Sequence, residues 1–253
     1  MLYIKIFLAI LAFGILYSCD DDNDAEPDSE SNEHKEIGTA QIGDHETTFY
    51  QTREPATRPD TLIVEVSSEV EAPMDEVSIF AKHSDKGEVL EAKTIKEDDG
   101  EEDATGAFWI PPRSGEWELS ASIQDDTTQE ALIIDVEKHG KGLTFDDDAG
   151  ANYHLHWTSP AEPSVGENEV DLGLLRKSGE QWNLEENLDL EIKPWMPSMD
   201  HGSEGNEHPE RVINGLYQGK VNFNMSGDWD VHVTLLEQDE EISEQTFEWT
   251  IDE

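Results

Sequence analysis

The sequence predicts an all-β chain of two tandem β-sandwiches, and three observations carry that expectation. Apolar residues alternate with polar ones at period two again and again, while helical periodicity hardly appears. The alternating runs are short and bounded by Gly, Pro, Asp or Ser clusters, as antiparallel strands are. They also fall into two successive sets of about six, the number that a small sandwich uses.

The chain opens MLYIKIFLAILAFGILYSCDDDND, with Lys5 ahead of an apolar run from Ile6 to Tyr17 that stops at Ser18, Cys19 and a row of aspartates. The run is about a dozen residues where a spanning helix needs roughly 20, so the pattern predicts a signal peptide over 1–18 rather than a permanent anchor. Leu16-Tyr17-Ser18-Cys19 resembles the bacterial lipobox, with Tyr17 bulkier than is usual there, and the resemblance implies a lipid on Cys19. The single cysteine of the chain cannot close an intramolecular disulfide, which fits that role. Residues 19–36, DDDNDAEPDSESNEHKE after the cysteine, hold almost nothing apolar and are expected to form an acidic flexible tether. Its leading aspartates resemble the acidic tags that send some lipoproteins to the cell surface; a plain solvated tether is the alternative. The expected location is the cell envelope, lipid-anchored to the outer membrane on either its periplasmic or its surface-exposed side.

The formal net charge of -44, from 60 acidic and 16 basic residues, excludes nucleic acid and anionic head groups as partners by repulsion. Such acidity keeps the chain soluble and raises the local cation concentration.

The first sandwich is expected over 37–138, with strands at 62–66 (LIVEV), 77–81 (VSIFA), 107–112 (AFWIPP), 117–123 (WELSASI) and 131–136 (ALIIDV). A glycine-rich, charged segment, KHGKGLTFDDDAG at 138–150, reads as the linker. The second sandwich is expected over 150–253, with strands at 152–157 (NYHLHW), 169–175 (EVDLGLL), 188–192 (LDLEI), 217–225 (YQGKVNFNM), 229–236 (WDVHVTLL) and 245–251 (QTFEWTI). The halves echo each other: Ser114-Gly115-Glu116-Trp117 and Ser226-Gly227-Asp228-Trp229 each feed a strand whose first residue is a core aromatic.

From Pro163 to Leu236 the order PSVGEN, PWMPSMDHG, NGLY and FNMSGDW resembles the YtkA-like domain family, related to the FixH family. The resemblance implies an immunoglobulin-like sandwich in an exported or membrane-tethered protein, often suspected of handling copper, with no established reaction. It makes the first half a diverged copy that keeps the SGEW turn but has no M-x-x-M-x-H segment, Met74 and His83 being the nearest remnants. Asp200 departs from the family, in which glycine is frequent, so a stiffer or more acidic loop is expected.

Thioethers and imidazole together favour copper over hard cations. Met196, Met199 and His201 are therefore the candidate ligands, with His208 able to complete the set. Pro194 and Pro197 fix the backbone around Met196. The competing reading makes the same loop a structural plug, the methionines packed on Trp195 and His201 bonded to a turn; Met225 divides between the same two readings. In NYHLHW, Tyr153, Leu155 and Trp157 share one strand face, so His154 and His156 share the other, expected to point outward, where they form a possible second metal site. His232 reads as a plain surface residue.

No nucleophile elbow, phosphate loop or H-E-x-x-H segment occurs, so no enzyme is expected. Ser198, Asp200 and His201 are too close in one loop for triad geometry. The expected function is copper binding in the envelope for metal handling or transfer. A non-metal structural or interaction module of the cell surface is the alternative, as is an accessory subunit of a membrane complex; a protein partner in the envelope is expected beside the membrane itself.

Overall fold

The computed structural model describes residues 35–43, 45–51, 60–67, 77–95, 104–123, 126–127 and 130–252. The leader, Cys19, the tether up to residue 34 and Met74 lie outside the described residues. The described residues form one compact unit.

The first half holds β1 (Lys35–Ile42), β2 (His45–Gln51), β3 (Asp60–Ser67), β4 (Val77–His83), β5 (Val89–Ile95), β6 (Ala104–Trp109), β7 (Gly115–Ile123), β8 (Asp126–Thr127) and β9 (Leu132–Val136). One sheet runs β1-β2-β3-β6-β5; β5 also pairs with β4, which continues to β7 and β9. The second half holds β10 (Lys141–Asp146), β11 (Asn152–Ser159), β12 (Gly166–Ser178), β13 (Gln181–Leu184), β14 (Asp189–Met196), β15 (His201–Gly202), β16 (Glu207–Ile213), β17 (Leu216–Phe223), β18 (Gly227–Glu237) and β19 (Glu240–Ile251). There β10-β11-β12-β17-β16 faces β15-β14-β18-β19. The strand order therefore repeats: β1-β2-β3-β6 matches β10-β11-β12-β17, and β4-β7-β9 matches β14-β18-β19. The single strand β5 does the work of β15 and β16 together.

Each half encloses its own core. Alternation in β7 buries Trp117, Leu119, Ala121 and Ile123, and alternation in β18 buries Trp229, Val231, Val233 and Leu235. Two contacts fix the entry into β17. The Tyr217 hydroxyl donates to Leu188 O at 2.7 Å, tying β17 to the residue before β14. Gly215, at φ 75, turns the chain into β17, and a Cβ there would come within 2.7 Å of Leu184.

Two expectations change. The segment 138–150 is not plain linker, because 141–146 forms β10, pairing with β11 from Lys141↔Trp157 to Asp146↔Asn152. Leu143 and Phe145 pack on the second core; two apolar residues among glycines and acids are too few to register as period two. The strand β1 likewise begins at Lys35, inside the stretch read as tether.

The halves meet along a seam. Strand β13 pairs parallel with β5 (Gln181↔Val89, Trp182↔Leu90), and Val89 N–H donates to Glu180 O at 3.1 Å. Leu175, Trp182 and Leu184 of the second half belong to the first core. In β12, Leu172 and Leu174 enter the second core while Gly173 meets Ile110, whose Cδ1 would stand 3.0 Å from a Cβ at that glycine. Glu88 holds Arg113 in a two-point contact (2.6 and 3.1 Å) and lies 3.6 Å from Lys177 of the second half.

Candidate functional site at the turn end of the second sandwich

Strand register builds the candidate site. In β14 and β15, Met196 pairs with His201 across the turn Pro197-Ser198-Met199-Asp200, and Asp200 N–H donates to Met196 O at 3.0 Å. In β4 and β5, Lys82 pairs with Val89, so His83 stands opposite Glu88 across Ser84-Asp85-Lys86-Gly87, and Gly87 N–H donates to His83 O at 2.9 Å. The turns have the same length and the same left-handed last residue, Asp200 at φ 55 and Gly87 at φ 66. Aspartate tolerates that conformation better than most side chains, so Asp200 can close the turn as Gly87 does.

The match extends to the core. Trp229 Nε1 donates to Met225 O and Trp117 Nε1 donates to Arg113 O, each at 3.1 Å. A Cβ at Gly227 would meet Met196 Cε at 3.1 Å, and one at Gly115 would meet His83 Nε2 at 3.1 Å. His83, Glu88 and Arg113 thus stand where Met196, His201 and Met225 stand in the second half. The first half fills these positions with a hydrogen-bonded ionic set; the second fills them with two thioethers and an imidazole.

The sequence-predicted ligands separate into different environments. Met196 is 2% exposed in the core, whereas Met199 is 57% exposed on the turn. His201 is half-buried, its ring edge-on to Trp229 at 6.0 Å and its Nδ1 2.8 Å from Gly202 O. His208 is exposed, and its Nδ1 accepts Ile192 N–H at 3.1 Å, clasping β16 to β14. Register therefore sets Met196 against His201, with His201 against Trp229 and Met225 reaching that tryptophan through its backbone carbonyl, while Met199 is exposed on the turn and His208 is engaged with β14. The Ser-Gly-acid-Trp echo held the signal for Met225, which lies four residues before Trp229 as Arg113 lies before Trp117. His232 bonds Thr246 at 3.0 Å on the surface. Among the described residues no three His, Cys, Asp or Glu side chains gather as a metal-ligand group.

His154 and His156 do share a face, but that face is buried, correcting the expectation that they point outward. They are 5% and 3% exposed because β11 is covered on both sides, by its own core and by the first sandwich. Burial depresses both imidazoles: His154 falls to about 3, with His156 and Arg113 adding repulsion, and His156 to about 4, although its hydrogen bond to His139 O opposes the shift. Both are neutral at ordinary pH.

The YtkA-like family model matches residues 147–234. No curated protein matches the chain in sequence. Among solved structures, the chain is similar to the Escherichia coli adhesin FdeC, at 13% identity over 84% of this chain and 66% of that one, with a TM-score of 0.29. It is similar to the Yersinia pseudotuberculosis adhesin InvE, at 10% identity over 79% of this chain and 56% of that one, TM-score 0.25. It is also similar to domains 4–9 of the surface layer protein SbsC, at 10% identity over 81% and 31%, TM-score 0.30. The chain spans just under two thirds of the FdeC chain and less of the other two.

Proposed function

We propose, starting from the YtkA-like domain carried by residues 147–234, that this chain is a non-catalytic interaction module of the cell surface, held to the outer membrane by lipid on Cys19. The observation that supports it is the unequal fate of two equivalent turn ends. In the first sandwich the chain leaving the turn after His83 is joined to another domain: Glu88 lies 3.6 Å from Lys177, and Val89 N–H donates to Glu180 O, in the hairpin β12–β13. In the second, all four residues from Pro197 to Asp200 are exposed, and Met199 presents an apolar side chain to solvent. An end built to be joined in one copy and left bare in the other suits a protein partner in the envelope. Purified chain added to intact cells lacking it should bind saturably, and Met199→Glu should abolish that binding. Unsaturable binding, or an unaffected variant, would reject the reading.

A second reading starts from Met196, paired in register with His201, whose ring lies edge-on to Trp229. In it the same end takes copper from a partner or delivers it, with Met196, His201 and Met225 as ligands. Under reducing conditions, Met196→Leu with Met225→Leu should then weaken Cu(I) binding more than Met199→Leu does; equal effects would remove it.

A further inference from the structure

His154 and His156 face each other at the seam with rings 5.5 Å apart and nearly perpendicular. One nitrogen of each is already engaged: His154 Nδ1 with Thr144 Oγ1 at 2.8 Å, and His156 Nε2 with His139 O at 2.7 Å. The other two, His154 Nε2 and His156 Nδ1, are buried and have no hydrogen-bond partner among the described residues. An imidazole fixed through one nitrogen by a carbonyl or hydroxyl, with the opposite nitrogen aimed into a dry space, is how metal-binding histidines are held. Space is kept for both rings by Gly142, directly across from His156 in β10. A Cβ at Gly142 would lie 2.9 Å from His154 Nε2 and 3.8 Å from His156 Cγ.

We propose that His154 and His156 form a nitrogen-only metal site in the seam, holding one Cu(I) ion between the ring nitrogens they leave unpaired. The ring spacing admits one ion bonded to both nitrogens at about 2 Å each. The choice of ion follows from the surroundings. No third His, Cys, Asp or Glu joins the pair among the described residues, whereas zinc fills four positions and Cu(I) is satisfied by two. Arg113 repels positive charge at His154 and Lys138 does so at His156, so a single charge is opposed less than a double one. The site is independent of the turn-end reading, since it uses neither sulfur nor His201.

The test is a Cu(I) titration of the full chain under reducing conditions against a colorimetric chelator, with Met196, Met199 and Met225 all changed to leucine. One equivalent should remain bound, with an X-ray absorption edge fitted by two nitrogens and no sulfur. His156→Gln should remove that equivalent, and Thr144→Val, which frees His154 to rotate, should weaken it about 10-fold or more. If His156→Gln fails to fold, Thr144→Val and the absorption spectrum decide. Retention of the ion in both variants, sulfur scattering in the first shell, or Zn(II) bound as tightly as Cu(I) would overturn the proposal; with the three turn-end methionines absent, a sulfur shell would assign the ion to Cys19 or another remaining sulfur and leave the turn-end copper reading to its own leucine variants.

Discussion

Gly87 and Gly142 illustrate two different reasons for a glycine. Gly87 has φ 66 and open space around its missing Cβ, so Gly87→Ala carries only the backbone cost of a left-handed alanine, about 1–2 kcal/mol of stability by urea unfolding. At Gly142, by contrast, a Cβ would press within 2.8 Å of the His154 ring. The buried histidines make a second residue-level prediction. Their folded pKa values, about 3 and about 4, lie below the unfolded 6.5, so below pH 6.5 the unfolded chain binds more protons and stability falls as pH drops, until about pH 4 for His156 and about pH 3 for His154. Each contributes a slope of about 1.4 kcal/mol per pH unit inside its window. Urea unfolding of His156→Gln should therefore show a shallower loss between pH 6 and pH 4 than the parent chain, in order-of-magnitude terms by that one-histidine slope. Parallel curves would contradict it. The shared face of these two residues was legible from alternation. Their burial was not, because alternation within one strand says nothing about a neighbouring domain that covers its outer face.

At the scale of elements, long alternating strands such as β7 and β18 were legible and short or polar ones were not. Strand β10 offers only Leu143 and Phe145 to the second core, and β13 offers only Trp182 and Leu184, both to the core of the first sandwich. Strand β13 matters more than its four residues suggest, since Trp182 is 1% exposed within the core of the other sandwich. Trp182→Ala should cost about 3–5 kcal/mol. Hydrogen exchange should place the loss in the first half, with faster exchange at Trp117 and Leu119, although the substitution is in the second. Faster exchange confined to β18 and β19 would contradict a shared seam core. The candidate site was legible in the same uneven way. The residue types of the turn stood out, but which of them face one another depended on register, which pairs Met196 with His201 and leaves Met199 on the exposed turn.

Taken as a whole, the chain carries a net charge of -44, and its two sandwiches share one seam. Like charges at this density oppose compaction, and salt screens them over about 10 Å at 0.1 M. The melting temperature should therefore rise between 10 mM and 150 mM NaCl, as differential scanning calorimetry would record; a fall would mean that attractive surface pairs such as Lys220 with Glu167 and Glu207 outweigh the repulsion. The repeat of strand order, turn length and tryptophan anchoring also supplies an internal control for function. Lys86 and Met199 occupy the same exposed place in equivalent turns, one at the joined end and one at the bare end. A photocrosslinking side chain placed at each position in turn, in intact cells, tests the central claim most directly. Position 199 should yield a discrete adduct and position 86 none, whereas equal labelling at both, or labelling at 86 alone, would contradict a partner at the free end of the second sandwich.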